Sequence, residues 1–221
     1  MKRNGKIYLL TGSVAITAFI LWTALLQIID VQPLGQKGTN TGFATINLWF
    51  HKLTGVHMVL YTITDWLGLV PIFVCFVFGI VGLIQLIRRK NLLKVDYDIL
   101  VLGIYYIIVI LCYLMFEMIP INYRPVLING FLETSYPSST TLLVLCVMPT
   151  LTEQLNRKLK SVSVKKAVTL MAAVFSLFMV IGRLISGVHW LTDIIGSILF
   201  GTGLFSLYKA TILLKIKEVK H

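Results

Sequence analysis

From Ile99 to Phe116 the chain is an almost continuous apolar run, and five further runs of similar character recur along it. A run of this length fits a membrane-crossing helix, which needs roughly 20 apolar residues. A transmembrane β-barrel would instead show stretches of about ten residues in strict alternation. The whole composition agrees: 57% of the 221 residues are hydrophobic and 13% charged, against roughly 25% charged in a soluble domain. The apolar stock suffices for about half a dozen crossings and short loops. The expectation is therefore all-α, with residues 1–221 forming one polytopic membrane bundle.

The formal charge of +11 would suggest nucleic acid in a soluble protein, so its distribution decides. Of 20 Lys and Arg, 15 fall in four clusters: Lys2, Arg3, Lys6; Arg88, Arg89, Lys90, Lys94; Arg157, Lys158, Lys160, Lys165, Lys166; and Lys215, Lys217, Lys220. Each caps an apolar run, and the clusters recur after every second crossing. Basic residues collect on the cytoplasmic side of membrane proteins. The charge is thus a topology signal, and nucleic acid is not the expected partner. Six spans follow, at about 7–29, 67–87, 98–117, 140–156, 167–186 and 191–213, with both termini cytoplasmic. Met1 to Lys6 and the run behind it resemble a signal peptide, but the run is too long and no A-x-A-like site follows, so it reads as a retained first span. The fourth run is the weakest, carrying Pro149, Glu153 and Asn156. Deleting it would put Arg157 to Lys166 outside. Lys209 falls near the inner end of the last span, leaving Lys37, Lys52, Arg124 and Arg183 for the outer side.

The outward segments are about 30–66, 118–139 and 187–190. Phe43, Ile46, Phe50 and Leu53 recur at helical spacing with Asn47, His51 and Lys52 between them, which suits a helix in the membrane interface as an alternative to an irregular loop. Cys75, Cys112 and Cys146 all fall inside spans and are odd in number, so they read as packing residues rather than disulfide partners.

Polar and ionisable groups at membrane helices default to functional hypotheses. Three segments concentrate them at the outer ends of spans three to six: EMIPINYRP (117–125), SYPSSTT (135–141) and GRLISGVHWLTD (182–193). His189 and Asp193, four apart, share a helical face. Asp193 can accept a bond from one ring nitrogen and leave the other as base or nucleophile; the same pair can also be a plain structural hydrogen bond. Arg183 reaches that point only if the helix breaks, which Gly187 permits. Arg124 sits on an outer loop stiffened by Pro120 and Pro125. Two Arg forks match the oxygens of a phosphoryl group, although either Arg could instead snorkel to headgroups. Ser138 and Ser139, after Pro137, lead into the fourth span, where their hydroxyls and the first-turn N–H groups can receive an anion or simply cap the helix.

Together these segments resemble the type 2 phosphatidic acid phosphatase family, six-span membrane lipid phosphatases with three motifs: Lys, six residues, Arg-Pro; Pro-Ser-Gly-His; and Ser-Arg, five residues, His, three residues, Asp. The third motif's spacing is complete at Arg183, His189 and Asp193, and the resemblance covers about 98–213. It implies that His189 attacks phosphorus to form a phosphohistidine, that Asp193 orients it, that Arg124 and Arg183 bind phosphate, and that no metal or other cofactor is needed. Glu117 stands where the family has its first-motif Lys, and Thr140 where it has the His that protonates the leaving group. Gly182 and Ser139 replace the family's Ser and Gly.

A lipid alcohol leaves with a pKa near that of water, about 15.7, and needs a proton; a phosphate monoester, with a second pKa of about 6, hardly does. Loss of the acid therefore favours a lipid diphosphate. Undecaprenyl diphosphate at the outer face of a bacterial envelope meets that condition. Phosphatidic acid and phosphatidylglycerol phosphate stay open as substrates, and Glu117 could recruit a divalent cation. A noncatalytic lipid-phosphate binder of the same fold is the rival reading. A transporter lacks the paired broken helices expected of one.

Overall fold

The computed structural model describes residues 2–215; Met1, Lys217 and Lys220 lie outside the described residues. Eight α-helices follow one another: α1 (Lys2–Leu26), α2 (Ala44–Thr54), α3 (Met58–Leu67), α4 (Leu69–Arg89), α5 (Tyr97–Met118), α6 (Ser139–Lys158), α7 (Val162–Ile185) and α8 (Leu191–Lys215). Six of them, α1 and α4 to α8, coincide with the six expected spans. Five rods, with Met58–Arg89 counted as one, are long and apolar enough to cross a membrane unaided. The sixth, α6, is the run that the sequence marked as weak.

The weakness of α6 follows from its place at the centre of the bundle, packed against α4, α5, α7 and α8. Its polar side chains are spent on neighbouring helices rather than on lipid, as a buried polar group in a membrane requires. Thr150 shares a 2.7 Å hydrogen bond with the Tyr106 hydroxyl, and Gln154 Nε2 donates to the Tyr208 hydroxyl at 3.2 Å. Glu153 pairs with Arg157 at 2.9 Å and with Lys209 of α8. The helix continues across Pro149.

The longest contact in the bundle runs between α1 and α8. Small residues allow it, because van der Waals packing drives helix association in lipid and a missing side chain lets backbones approach. A Cβ on Gly12 would stand 2.8 Å from Leu207 Cγ, and one on Gly203 would stand 2.6 Å from Ile16 Cδ1. Phe19 of α1 stacks on Phe200 of α8 with ring centroids 4.4 Å apart. At the end that carries the basic clusters, Arg89 pairs with Asp96 at 2.7 Å and the Lys215 ammonium sits 4.6 Å from the Tyr97 ring centre.

The opposite end agrees with expectation in one respect and departs from it in two. The helix expected around Phe43 to Leu53 exists as α2, with Ile46, Trp49 and Leu53 pointing outward as an interfacial helix requires and Asn47 buried. Asn47 holds α2 to α8: its Nδ2 donates to Thr192 Oγ1 at 3.0 Å and its Oδ1 accepts from the Thr192 N–H at 3.2 Å. Residues 58–66, assigned to an outer loop, are helical and extend the second rod as α3, with Leu60, Thr64 and Leu67, four and three apart, turned toward the protein and Met58, Val59 and Ile63 exposed. The segment after α5 folds back on itself as a hairpin. Arg124 N–H donates to Glu133 O at 3.0 Å, Ser135 N–H to Asn122 O at 2.9 Å, and Ile128 and Phe131 exchange both backbone bonds around Asn129 and Gly130. Those two residues have φ of +50° and +82°, the left-handed pair that an Asn-Gly hairpin turn demands.

Candidate active site

Four pieces of chain meet at the hairpin end. The α7–α8 turn carries His189. Gly187 breaks the helix there at φ +71°, against the backbone of Gly55, where a Cβ would fall 2.0 Å from the Gly55 carbonyl oxygen. His189 therefore lies ahead of α8 and not on a helical face with Asp193, which stands in the first turn of α8. The consequence is a longer reach: His189 Nδ1 is 3.7 Å from Asp193 Oδ2. Ser135 fills the gap. Its hydroxyl donates to Asp193 Oδ2 and lies 3.1 Å from His189 Nδ1, while its backbone oxygen also lies 3.1 Å from Nδ1. A carbonyl can only accept, so Nδ1 carries the proton and Nε2 keeps its lone pair. Asp193 Oδ2 also accepts the Trp190 N–H at 2.9 Å, fixing the turn as it orients the ring.

On the Nε2 side stands Arg183, whose Nη2 is 3.5 Å away. Arg183 is 1% exposed and Arg124 7%, and each keeps one buried N–H unpartnered among the described residues, at Nε and Nη1 respectively. Unpaired guanidinium donors in a buried site are costly unless a ligand meets them. Tyr61 of α3 lies beside both, with guanidinium carbons 4.9 Å (Arg183) and 5.6 Å (Arg124) from its ring centre. Arg124 is steadied by Thr134 O at 3.3 Å and by Glu133 at 3.2 Å, and Arg183 by Asp65 at 3.4 Å.

These groups wall a cleft of about 640 Å³, lined by Arg124, Arg183, Tyr61, Asp65, Glu117 and Thr140 among others. Ser139 lines it too and shares with Glu117 and His189 a small adjoining cavity. Ser138 does not: fully buried, its hydroxyl meets Thr141 at 3.0 Å and its carbonyl accepts from Ser197. Glu117 accepts a 2.8 Å bond from the Thr134 hydroxyl. Three participants escaped the sequence reading. Asp65 and Tyr61 lie in the segment whose sequence reads as an outer loop, and Ser135 carries no signal of its own within SYPSSTT. The Asn129-Gly130 pair between apolar residues was the signal that could have revealed the hairpin holding Arg124.

An all-helical membrane bundle with a His, two Arg and an Asp gathered at one end defines a membrane phosphatase fold. The family model of the PAP2 superfamily matches residues 72–216, and the chain belongs to that superfamily. Its fold is similar to the structure titled the first transmembrane PAP2 type phosphatidylglycerolphosphate phosphatase from Bacillus subtilis, with a TM-score of 0.66 and 20% identity over 92% of this chain and 96% of that one. No curated protein sequence matches the chain.

Proposed function

We propose that the protein is a membrane-integral lipid phosphatase that removes phosphate from a lipid phosphate or diphosphate at the outer membrane face. The observation that carries this reading is the convergence of His189 Nε2 with Arg183 at 3.5 Å, beside a second buried Arg with an unpartnered donor. The phosphoryl group binds between Arg124 and Arg183, with Ser139 at its edge. His189 Nε2 attacks phosphorus as the P–O bond to the lipid breaks, giving a phosphohistidine. Ser135 and Asp193 hold the Nδ1 proton and stabilise the positive ring. Water then attacks phosphorus, the P–N bond breaks with its electron pair returning to Nε2, and phosphate leaves carrying the water's oxygen while the water's proton passes to the released phosphate or to solvent.

The leaving group decides the preference. Thr140 offers no ionisable acid where the departing oxygen emerges, and a positioned acid contributes roughly 10²- to 10⁴-fold. A lipid diphosphate, whose departing group is already weakly basic, is the substrate that suffers least, and undecaprenyl diphosphate has that chemistry. Phosphate release from purified protein, measured on matched lipid mono- and diphosphates, tests the reading. Diphosphate should be preferred, and His189→Ala should abolish release from both. Undiminished turnover in that variant would sink the phosphohistidine route. Binding of both lipids without turnover by the wild type would favour a noncatalytic lipid-phosphate binder, the reading that Thr140 also supports.

A further inference from the structure

The Asp193 carboxylate is held on one oxygen only. Oδ2 accepts the Ser135 hydroxyl and the Trp190 N–H. Oδ1 meets no donor among the described residues, although Asp193 is fully buried. A second buried orphan stands beside it. Asn122 is 2% exposed, its Nδ2 likewise has no partner among the described residues, and its side chain faces the Asp193 carboxylate. A buried donor or acceptor is costly to leave unmade, and each of these is what the other lacks. The hairpin explains why they meet. Tyr123 and Thr134 are bridged across its two strands, and the Ser135 N–H donates to the Asn122 carbonyl at 2.9 Å. Alternate residues of a strand share a face, so Asn122 and Arg124 point the same way, as do Ser135 and Glu133. Asn122 and Ser135 thereby approach Asp193 together from adjacent strands. Trp190 Nε1 donates to Tyr123 O at 2.9 Å and ties the first strand to the turn that carries His189.

We infer that Asn122 is a positioning residue of the nucleophile, its amide donating to Asp193 Oδ1 as the Ser135 hydroxyl donates to Oδ2, an assignment that rests on the phosphatase reading above and deepens it. A carboxylate only accepts, so Nδ2 is the end turned toward it. The terminal torsion of Asn is broad, and a small rotation closes the bond. With both oxygens held, the carboxylate cannot pivot about its Cβ–Cγ bond, and its charge stays directed at the Nδ1 proton as the attacking ring turns positive. One strand then sets Arg124 on the phosphate and, two residues earlier, Asn122 on the group that orients His189. Motif spacing does not mark this residue: Asn122 is one of the six that the resembling family's first motif leaves unspecified.

The test uses purified full-length protein in detergent micelles, with a lipid diphosphate as substrate. Asn122→Ala should lower kcat about tenfold or more, the scale of one hydrogen bond to a charged group, and leave KM nearly unchanged. Asn122→Asp keeps the shape and replaces the donor with a second carboxylate. Two carboxylates in contact share a proton, so this variant should be slowest near about pH 8 and gain rate toward about pH 5, where the new carboxyl is protonated and donates again. The titratable and charged groups that face this carboxylate are His189 on the turn and Arg124 on the hairpin, with Arg183 of α7 behind His189 and Tyr136 beside Ser135. All of them are retained, so the wild-type profile is the reference. An unchanged kcat in Asn122→Ala, a loss confined to KM, or no acid-side gain in Asn122→Asp beyond that of wild type would each overturn the inference and leave the phosphatase reading standing. If wild type releases no phosphate, that reading fails and thermal melts decide the pairing by themselves. Asn122→Asp should lower Tm by several degrees near about pH 8, and adding Asp193→Asn, which exchanges amide and carboxylate, should restore most of the loss. A recovery no greater than the change Asp193→Asn makes alone would overturn the pairing.

Discussion

At the scale of single residues, the protonation state of His189 sets how the site responds to pH. Burial, with the charges of Arg124 and Arg183 beside it, holds the His189 imidazole well below its ordinary value of 6.5. On the proposed phosphohistidine route the imidazole must be neutral to attack, so turnover should persist as pH falls through 6.5 instead of dropping there. A rate profile between about pH 5 and 8 checks it, and a limb centred on the ordinary histidine value would mean an imidazole open to water. The sign for stability is the reverse. An unfolded chain takes up a proton near pH 6.5 that the folded one refuses, so stability is present above that value and is lost as pH falls below it. Ser135 acts through its neighbours, as the group that joins Nδ1 to Asp193. Ser135→Ala should lower kcat roughly ten- to a hundredfold, the scale of one hydrogen bond to a charged group, while leaving KM nearly unchanged. A loss confined to KM would place Ser135 among the groups that bind substrate instead.

At the scale of elements, α3 explains a residue that looked like a departure. Gly182 stands where the resembling family has Ser, and a Cβ there would fall 2.7 Å from Thr64 Cγ2 of α3. The absent side chain lets α3 lie against α7, which brings Asp65 to Arg183 and Tyr61 beside both Arg. Gly182→Val should force the two helices apart at a cost of about 1–3 kcal/mol and weaken phosphate binding. A thermal melt in detergent, read beside KM, checks both effects, and an unchanged KM would detach α3 from the site. This element also marks where the sequence ceased to be readable. The six spans were legible because lipid imposes one rule on every residue facing it, and even the polarity of α6 was visible, though its cause was not. Residues 58–67 obey no such rule: Thr64 is buried and Asp65 exposed, a pattern set by α7 and the cleft, which only the assembled bundle contains. Arg183, His189 and Asp193 were singled out by spacing together with the family resemblance, and the structure brings the three to one end of the bundle. Ser135 between His189 and Asp193 was not legible, because the helix break at Gly187 lengthened a distance that spacing predicted to be short.

At the scale of the whole molecule, the two ends of the bundle do different work. One gathers the described members of the four basic clusters, at the start of α1, between α4 and α5, between α6 and α7, and at the end of α8. The other holds the hairpin, the α7–α8 turn and the cleft, with α2 and its outward Ile46, Trp49 and Leu53 beside them. Basic residues near span ends are retained in the cytoplasm, and this polarity is what supports the proposed placement of the cleft on the outer face. On that proposal the outward apolar stripe of α2 would lie at the depth of the outer headgroups, where an amphipathic helix settles, and a lipid phosphate would reach the cleft from the outer leaflet without crossing the bilayer. A reporter fused after residue 92 or 162 should therefore report the cytoplasm, and one inserted near residue 130, in the exposed hairpin turn, should report the outside. Finding residue 130 inside would turn the cleft toward the cytoplasm and replace every outer-leaflet substrate with an inner-leaflet one, while leaving the chemistry at His189 as it stands.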